Sequence, residues 1–134
     1  EPFLIINPDT IWNSYYLEEL KLMEKKFIEN GAECTLLVVN KKRSFDQSLK
    51  GDFDFKNNLI SRKNTRDLNY IYTGLQIIKP NVFNKMNLKV FSINTIWDNL
   101  ILLNKLRGME SNIDFLHVST LNIYNNLIEK NFKR

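Results

Sequence analysis

A single cysteine, a single histidine, four glycines and three prolines are scarce residues for a chain of 134. Each scarcity excludes something. Cys34 has no partner for an internal disulfide, so the fold must stand on its core, and a reducing compartment, the cytoplasm, is the expectation. His117 is the only imidazole, which excludes any site that needs two. Four scattered glycines leave no Gly-rich phosphate loop. No apolar run approaches the ~20 residues of a membrane span, and no signal or transit peptide is expected ahead of the first strand.

What is present is ordinary globular composition, 43% hydrophobic and 25% charged. That suits one domain, 1–134, able to bury roughly two-thirds of its unfolded surface. Asparagine is in excess, with 19 residues beside 14 lysines and 14 isoleucines. Their codons are A/T-rich and the asparagines are scattered, so genome bias explains them better than a prion-like tract. The net charge of +4 is spread along the chain, densest at Lys41-Lys42-Arg43. No aromatic residues interleave with that cluster, so solvated charge is expected there, and no nucleic-acid partner.

Phe3-Leu4-Ile5-Ile6 reads as a fully buried strand ended by Asn7-Pro8-Asp9. From Tyr15 to Asn30 the period becomes helical, with Tyr16, Leu20, Met23 and Phe27 on one stripe and Gly31 as the C′ residue. Cys34 to Val39 is a second buried strand, and the strand–helix–strand succession implies parallel strands. Asp52–Phe55 and Leu59–Ser61 flank Lys56-Asn57-Asn58 as a hairpin, and polar loops are expected at 41–50 and 63–69. Tyr70 to Ile78 is a strand in which Gly74 marks a bulge or a close backbone approach. Pro80 to Phe83 reads as a turn or short helix. Ser92 caps a helix expected to run to about Leu106, with Ile96, Trp97, Leu100, Ile101 and Leu103 inward and Gly108 beyond its end. Asp114 to Val118 is expected as a last strand, and Thr120 caps a final helix. The sum is an α/β protein with a Rossmann-like mixed sheet flanked by helices.

Asp9 is the sharpest chemical candidate. It stands where a strand ends, the place at which open α/β sheets put ligand-binding groups, and a carboxylate there can hold a Mg²⁺ that bridges phosphates. The same four residues, Asn-Pro-Asp-Thr, also make an ordinary turn and cap. Gly51-Asp52 and Thr73-Gly74 could bring amides and short polar side chains to a sugar, or simply form a hairpin entry and a bulge. His117 reads as a core histidine or a ligand. Cys34, Trp12 and Trp97 read as core.

Taken in order, Glu1 to Thr10, Gly51-Asp52-Phe53, Tyr72 to Phe83, Phe91 to Asp98 and Phe115 to Thr120 resemble the sugar-1-phosphate nucleotidyltransferase family. The nearest likeness is to its short N-acetylmuramate-1-phosphate uridylyltransferase and mannose-1-phosphate guanylyltransferase members. The resemblance implies that Asp9 is the first metal-binding aspartate, that Gly51 and Asp52 meet the sugar phosphate, and that the Thr73-Gly74 backbone meets the sugar. It implies transfer of a nucleotidyl group from an NTP to a sugar 1-phosphate, with pyrophosphate released and Mg²⁺ as the cofactor. The sequence departs from the family where Pro8 and Ser119 replace glycines, and where His117 replaces the aspartate that is often a second metal ligand. Such a site favours weaker metal binding, or Mn²⁺.

The family's Gly-rich nucleotide loop lies ahead of its metal aspartate, so the resemblance implies a carboxyl-terminal part lacking the nucleotide-binding half. Its expected partners are then a sugar 1-phosphate, an NTP, and either a separate chain carrying that half or a second copy in a homo-oligomer. A non-catalytic remnant, a sugar-phosphate-binding or interaction module, and an oligomerisation subunit are the alternatives.

Overall fold

The computed structural model describes residues 1–62, 68–83, 92–118 and 120–132. Phe91, Ser119 and most of the loop expected at 63–69 lie outside them. Among the described residues the strands are β1 (Phe3–Ile6), β2 (Cys34–Asn40), β3 (Asp54–Lys56), β4 (Leu59–Ser61), β5 (Tyr70–Ile78) and β6 (Leu106–Ser111). The helices are α1 (Tyr15–Glu29), α2 (Ile93–Leu102) and α3 (Leu121–Phe132), with short 3₁₀ turns at Lys41–Arg43 and Pro80–Phe83. The strands form one mixed sheet in the order β1-β5-β2-β6-β4-β3.

β2 is buried along almost its whole length because both sheet faces are covered. Cys34, Leu36 and Val38 point to one face, where Ile96, Trp97 and Leu100 of α2 meet Phe53, Ile60 and Leu106. Leu37 points to the other, where Tyr16, Met23 and Phe27 of α1 meet Leu75, Ile77 and Met109. The alternation of one strand thus defines three layers, helix, sheet and helix. Glu19 ties α1 to the end of β6 by accepting from the Ser111 hydroxyl at 2.6 Å and the Asn112 amide at 2.8 Å.

The helical stripe of α1 is as the sequence implies, and Gly31 after it has φ +59°. The hairpin turns at Asn57 and Asn58, both left-handed at φ 53° and 64°, the geometry that matches the twist of paired strands.

Four expectations are corrected. β1 is an edge strand, with Phe3, Leu4 and Ile6 exposed. It runs the same way as β2, but the two are separated by β5, which pairs antiparallel with both. The expected parallel direction therefore stands, with β5 lying between the two strands. The helix from Ser92 stops at Leu102, because Asn104 turns into the left-handed region at φ 56°, and Leu103 is exposed rather than inward. The missed strand β6 follows, pairing parallel with β2, so Gly108 is a strand residue. Ile60 Cδ1 would lie 2.5 Å from a Cβ at Gly108, so the glycine makes room for hairpin packing. Finally, Phe115 and His117 form isolated bridges to Ser44 and Thr10 instead of a strand.

β1, β2 and β6 all end at one rim of the sheet. The segment from Phe115 to Val118 is threaded along that rim. The Ile11 amide donates to the Leu116 carbonyl, the Val118 amide to Asp9, and the Phe45 amide to Phe115. This threading brings residues far apart in sequence to the strand ends. No helix among the described residues is long and apolar enough to cross a membrane.

Candidate functional site

Asp9 leaves β1 through the Asn7-Pro8 turn and is held by backbone at both sides. The Asn7 amide donates to the Gly74 carbonyl at 2.8 Å, and the Asn7 carbonyl accepts from the Trp12 indole at 3.0 Å. Its Oδ2 lies 2.9 Å from His117 Nε2. The Asp9 side chain is about half exposed, and that of His117 is mostly covered. Among the described residues His117 Nδ1 is buried without a hydrogen-bond partner, and Nε2 is the ring nitrogen that meets Asp9. The imidazole stacks on Phe115 with centroids 5.8 Å apart. His117 is therefore a mostly covered partner of Asp9, not a core histidine in mid-strand.

Thr73 is buried and committed to the fold. Its hydroxyl donates to the Leu37 carbonyl at 2.8 Å, and its own carbonyl accepts from the Thr10 hydroxyl at 2.7 Å. Gly74 follows at φ 98°, beside the register shift between β2 and β5 that the sequence predicts as a bulge. A Cβ at Gly74 would lie 2.7 Å from the Asn7 Cβ. The close approach is therefore to the Asp9 turn, and the glycine sets where that turn sits.

Asp52 caps the start of the paired segment. Its Oδ2 accepts from the Tyr72 amide at 2.9 Å and its own amide donates to the Tyr70 carbonyl at 2.7 Å. Desolvation raises its carboxyl above the ordinary aspartate range, against the Tyr72 amide and the charges of Arg62 and His117, which pull it down. Gly51 before it is pressed on the backbone, with the Leu68 carbonyl oxygen only 1.9 Å from where a Cβ would be. The structure thus joins Asp9, His117, Thr73 and Gly74 at one rim, couples Asp52 electrostatically to His117, and uses Gly51 as a packing contact.

The raised Asp52 carboxyl makes a stability prediction. The unfolded chain ionises first, so stability is lost as pH rises from the ordinary aspartate range through the raised value. Asp52→Asn keeps the oxygen that accepts from Tyr72 and removes the desolvated charge. Urea denaturation should find it at least as stable as the parent at neutral pH, the difference closing as pH falls through that window. A variant markedly less stable at neutral pH would show that the charge itself holds the loop.

Two features escape sequence reasoning. Arg62, at the end of the hairpin, places its guanidinium 4.5 Å over the Phe53 ring and bonds Asp98 and Asn94 of α2 at 2.8 Å each. Its Nε also donates to the Asp52 carbonyl at 3.3 Å. Nothing in the spacing of residues 32 and 36 positions apart signals that clamp. Gln76 is buried in β5. Its amide oxygen accepts from Trp97 Nε1 and Cys34 Sγ, and its Nε2 donates to the Tyr72 hydroxyl. A lone glutamine in the run Leu75-Gln76-Ile77-Ile78 was the available signal.

Among the described residues no three His, Cys, Asp or Glu side chains gather to hold a metal ion. A Mg²⁺ carried on phosphate oxygens needs only one or two carboxylates from protein, and the half-exposed Asp9 can supply one.

The described architecture is an α/β fold, a mixed sheet between helices. It is shared with a protein from Bacillus anthracis assigned as a glucose-1-phosphate thymidylyltransferase, solved in complex with a sucrose. The match has a TM-score of 0.63 and 17% identity over 94% of this chain and 52% of that one. HddC from Yersinia pseudotuberculosis matches with a TM-score of 0.56 and 19% identity, over 96% of this chain and 55% of that one. The chain thus spans about half the length of these structures. No family model and no curated protein matches the sequence.

Proposed function

We propose that this chain is one domain, 1–134, forming the carboxyl-terminal part of a sugar-1-phosphate nucleotidyltransferase. In the full reaction a phosphate oxygen of the sugar 1-phosphate attacks the α-phosphorus of an NTP and pyrophosphate leaves. The observation that carries this reading is the meeting of Asp9, His117, Thr73 and Gly74 at one rim of a fold shared with a protein assigned to that chemistry. Asp9 would hold Mg²⁺, or Mn²⁺ given the imidazole beside it, and the ion when bound neutralises phosphate charge. To do so Asp9 gives up or shares its contact with His117, which then keeps the carboxylate aimed along the rim. The Thr73-Gly74 backbone, fixed by Thr10 and Asn7, positions the sugar. Asp52 and Gly51 border its phosphate end. The nucleotide-binding half lies outside residues 1–134, and a separate chain or a second copy is the partner this reading proposes for it. The complex works in the cytoplasm without nucleic acid or membrane.

Pyrophosphate release should be measured with Mg²⁺ or Mn²⁺ across panels of NTPs and sugar 1-phosphates, with and without a chain supplying the nucleotide-binding half. Release is expected only in the mixture, and Asp9→Asn should lower it by about a hundredfold or more. Absence of release in every combination would overturn the reading.

A further inference from the structure

A second concavity lies past the end of β2 and shares Gly51 with the sugar-phosphate end proposed above. It encloses about 450 Å³ and its wall carries Lys41, Lys42 and Lys50 together with Gln47, Ser48 and Gly51. Among the described residues no carboxylate lines it, and none of the three lysines makes an ion pair. Arg43, the fourth cation of the stretch, is turned instead to Asp114 at 3.5 Å.

The lysine-bearing backbone is fixed before any ligand arrives. The Lys41 amide donates to the Asn69 carbonyl at 2.9 Å, and the Lys41 carbonyl accepts from the Ser44 amide at 3.2 Å. The Lys42 amide is capped by the Asn40 side chain at 3.0 Å. Asp46 is buried beneath the loop with its Oδ1 occupied by the Ser48 amide and hydroxyl. Lys50 adjoins Gly51, which is pinned against the Leu68 backbone.

Three lysines lining one cavity concentrate positive charge there, and the arrangement favours a multivalent anion. Lysine binds phosphate as a point charge, and a pinned backbone lowers the cost of ordering the site. The volume falls within the roughly 300–1,000 Å³ of small-molecule sites. The described lining has no aromatic side chain on which a base could stack. We propose that the Lys41–Lys42–Lys50 cavity binds a small, multiply charged phosphate-bearing anion. Through Gly51 the cavity adjoins the sugar-phosphate end of the proposed site, and its anion binding is read separately from turnover.

The test is a titration of ¹⁵N-labelled full chain with inorganic phosphate and with tripolyphosphate, at constant physiological ionic strength and without divalent ions. Saturable shifts are expected at the amides of Lys41, Lys42 and Gln47 to Gly51, with tripolyphosphate the tighter ligand. The double variant Lys41→Gln, Lys50→Gln should keep the remaining spectrum and weaken binding about tenfold or more. Shifts that grow linearly without saturating, or a double variant that binds like the parent, would overturn the proposal. Because the titration reads binding alone, its failure leaves the pyrophosphate-release assay untouched, and the converse holds.

Discussion

Phe53→Ala is expected to destabilise the chain by about 3–5 kcal/mol, the range for emptying a buried phenylalanine site. The ring is fully buried and meets Trp97 edge-on with centroids 5.6 Å apart. Its other face carries the Arg62 guanidinium. The backbone of Phe53 cannot shift to fill the void, because it exchanges hydrogen bonds with Tyr70 at 3.0 and 3.1 Å. Against a total stability of roughly 5–15 kcal/mol for a small domain, that loss leaves an appreciable unfolded fraction. Urea denaturation followed by tryptophan fluorescence should show the midpoint falling accordingly. Phe53→Leu, which keeps most of the volume, should recover much of the difference. A loss below about 1 kcal/mol for the alanine variant would show that the ring is not packed between Trp97 and Arg62 as described.

Gly74→Ala should cost about 2–5 kcal/mol, adding the left-handed penalty of a side chain to the strain of overpacking. The added Cβ meets the Asn7 side chain, so relief has to come from the turn that carries Asp9. Two readouts follow, a lower denaturation midpoint and a changed His117 ring signal in NMR as the 2.9 Å contact to Asp9 opens. If the midpoint falls while the His117 signal stays in place, the strain is absorbed within β5 and the glycine does not position Asp9.

The parts legible in the sequence are those decided by local chemistry. The α1 stripe, the Asn57-Asn58 turn, the Ser92 cap and the bulge at Gly74 all depend on a few neighbouring residues. The Ser92 hydroxyl indeed accepts from the Asn94 amide at 3.2 Å. What the sequence hides is which neighbour a segment meets. Phe3-Leu4-Ile5-Ile6 looks interior because four apolar residues in a row suit a strand covered on both faces, yet the strand stands at the sheet edge. Leu106 to Ser111 alternates too irregularly to announce a strand, and its burial comes from lying between β2 and β4. Of the candidate site, Asp9 and Gly74 were visible as turn chemistry. The pairing of Asp9 with His117 joins residues 108 positions apart and exists only because the Phe115 segment is threaded along the rim.

The polar cluster around Gln76 gives the molecule an internal clock. Cys34 is wholly enclosed there, its thiol bonded to the Gln76 carbonyl oxygen and pushed up to about 12 by burial. An alkylating reagent attacks thiolate, and neither the reagent nor the ionised form is admitted while β2 lies between β5 and β6. Modification of the one sulfhydryl therefore proceeds at the pace at which the central strands part. A simple mass measurement over time in the presence of the reagent reports that opening, without any engineered residue.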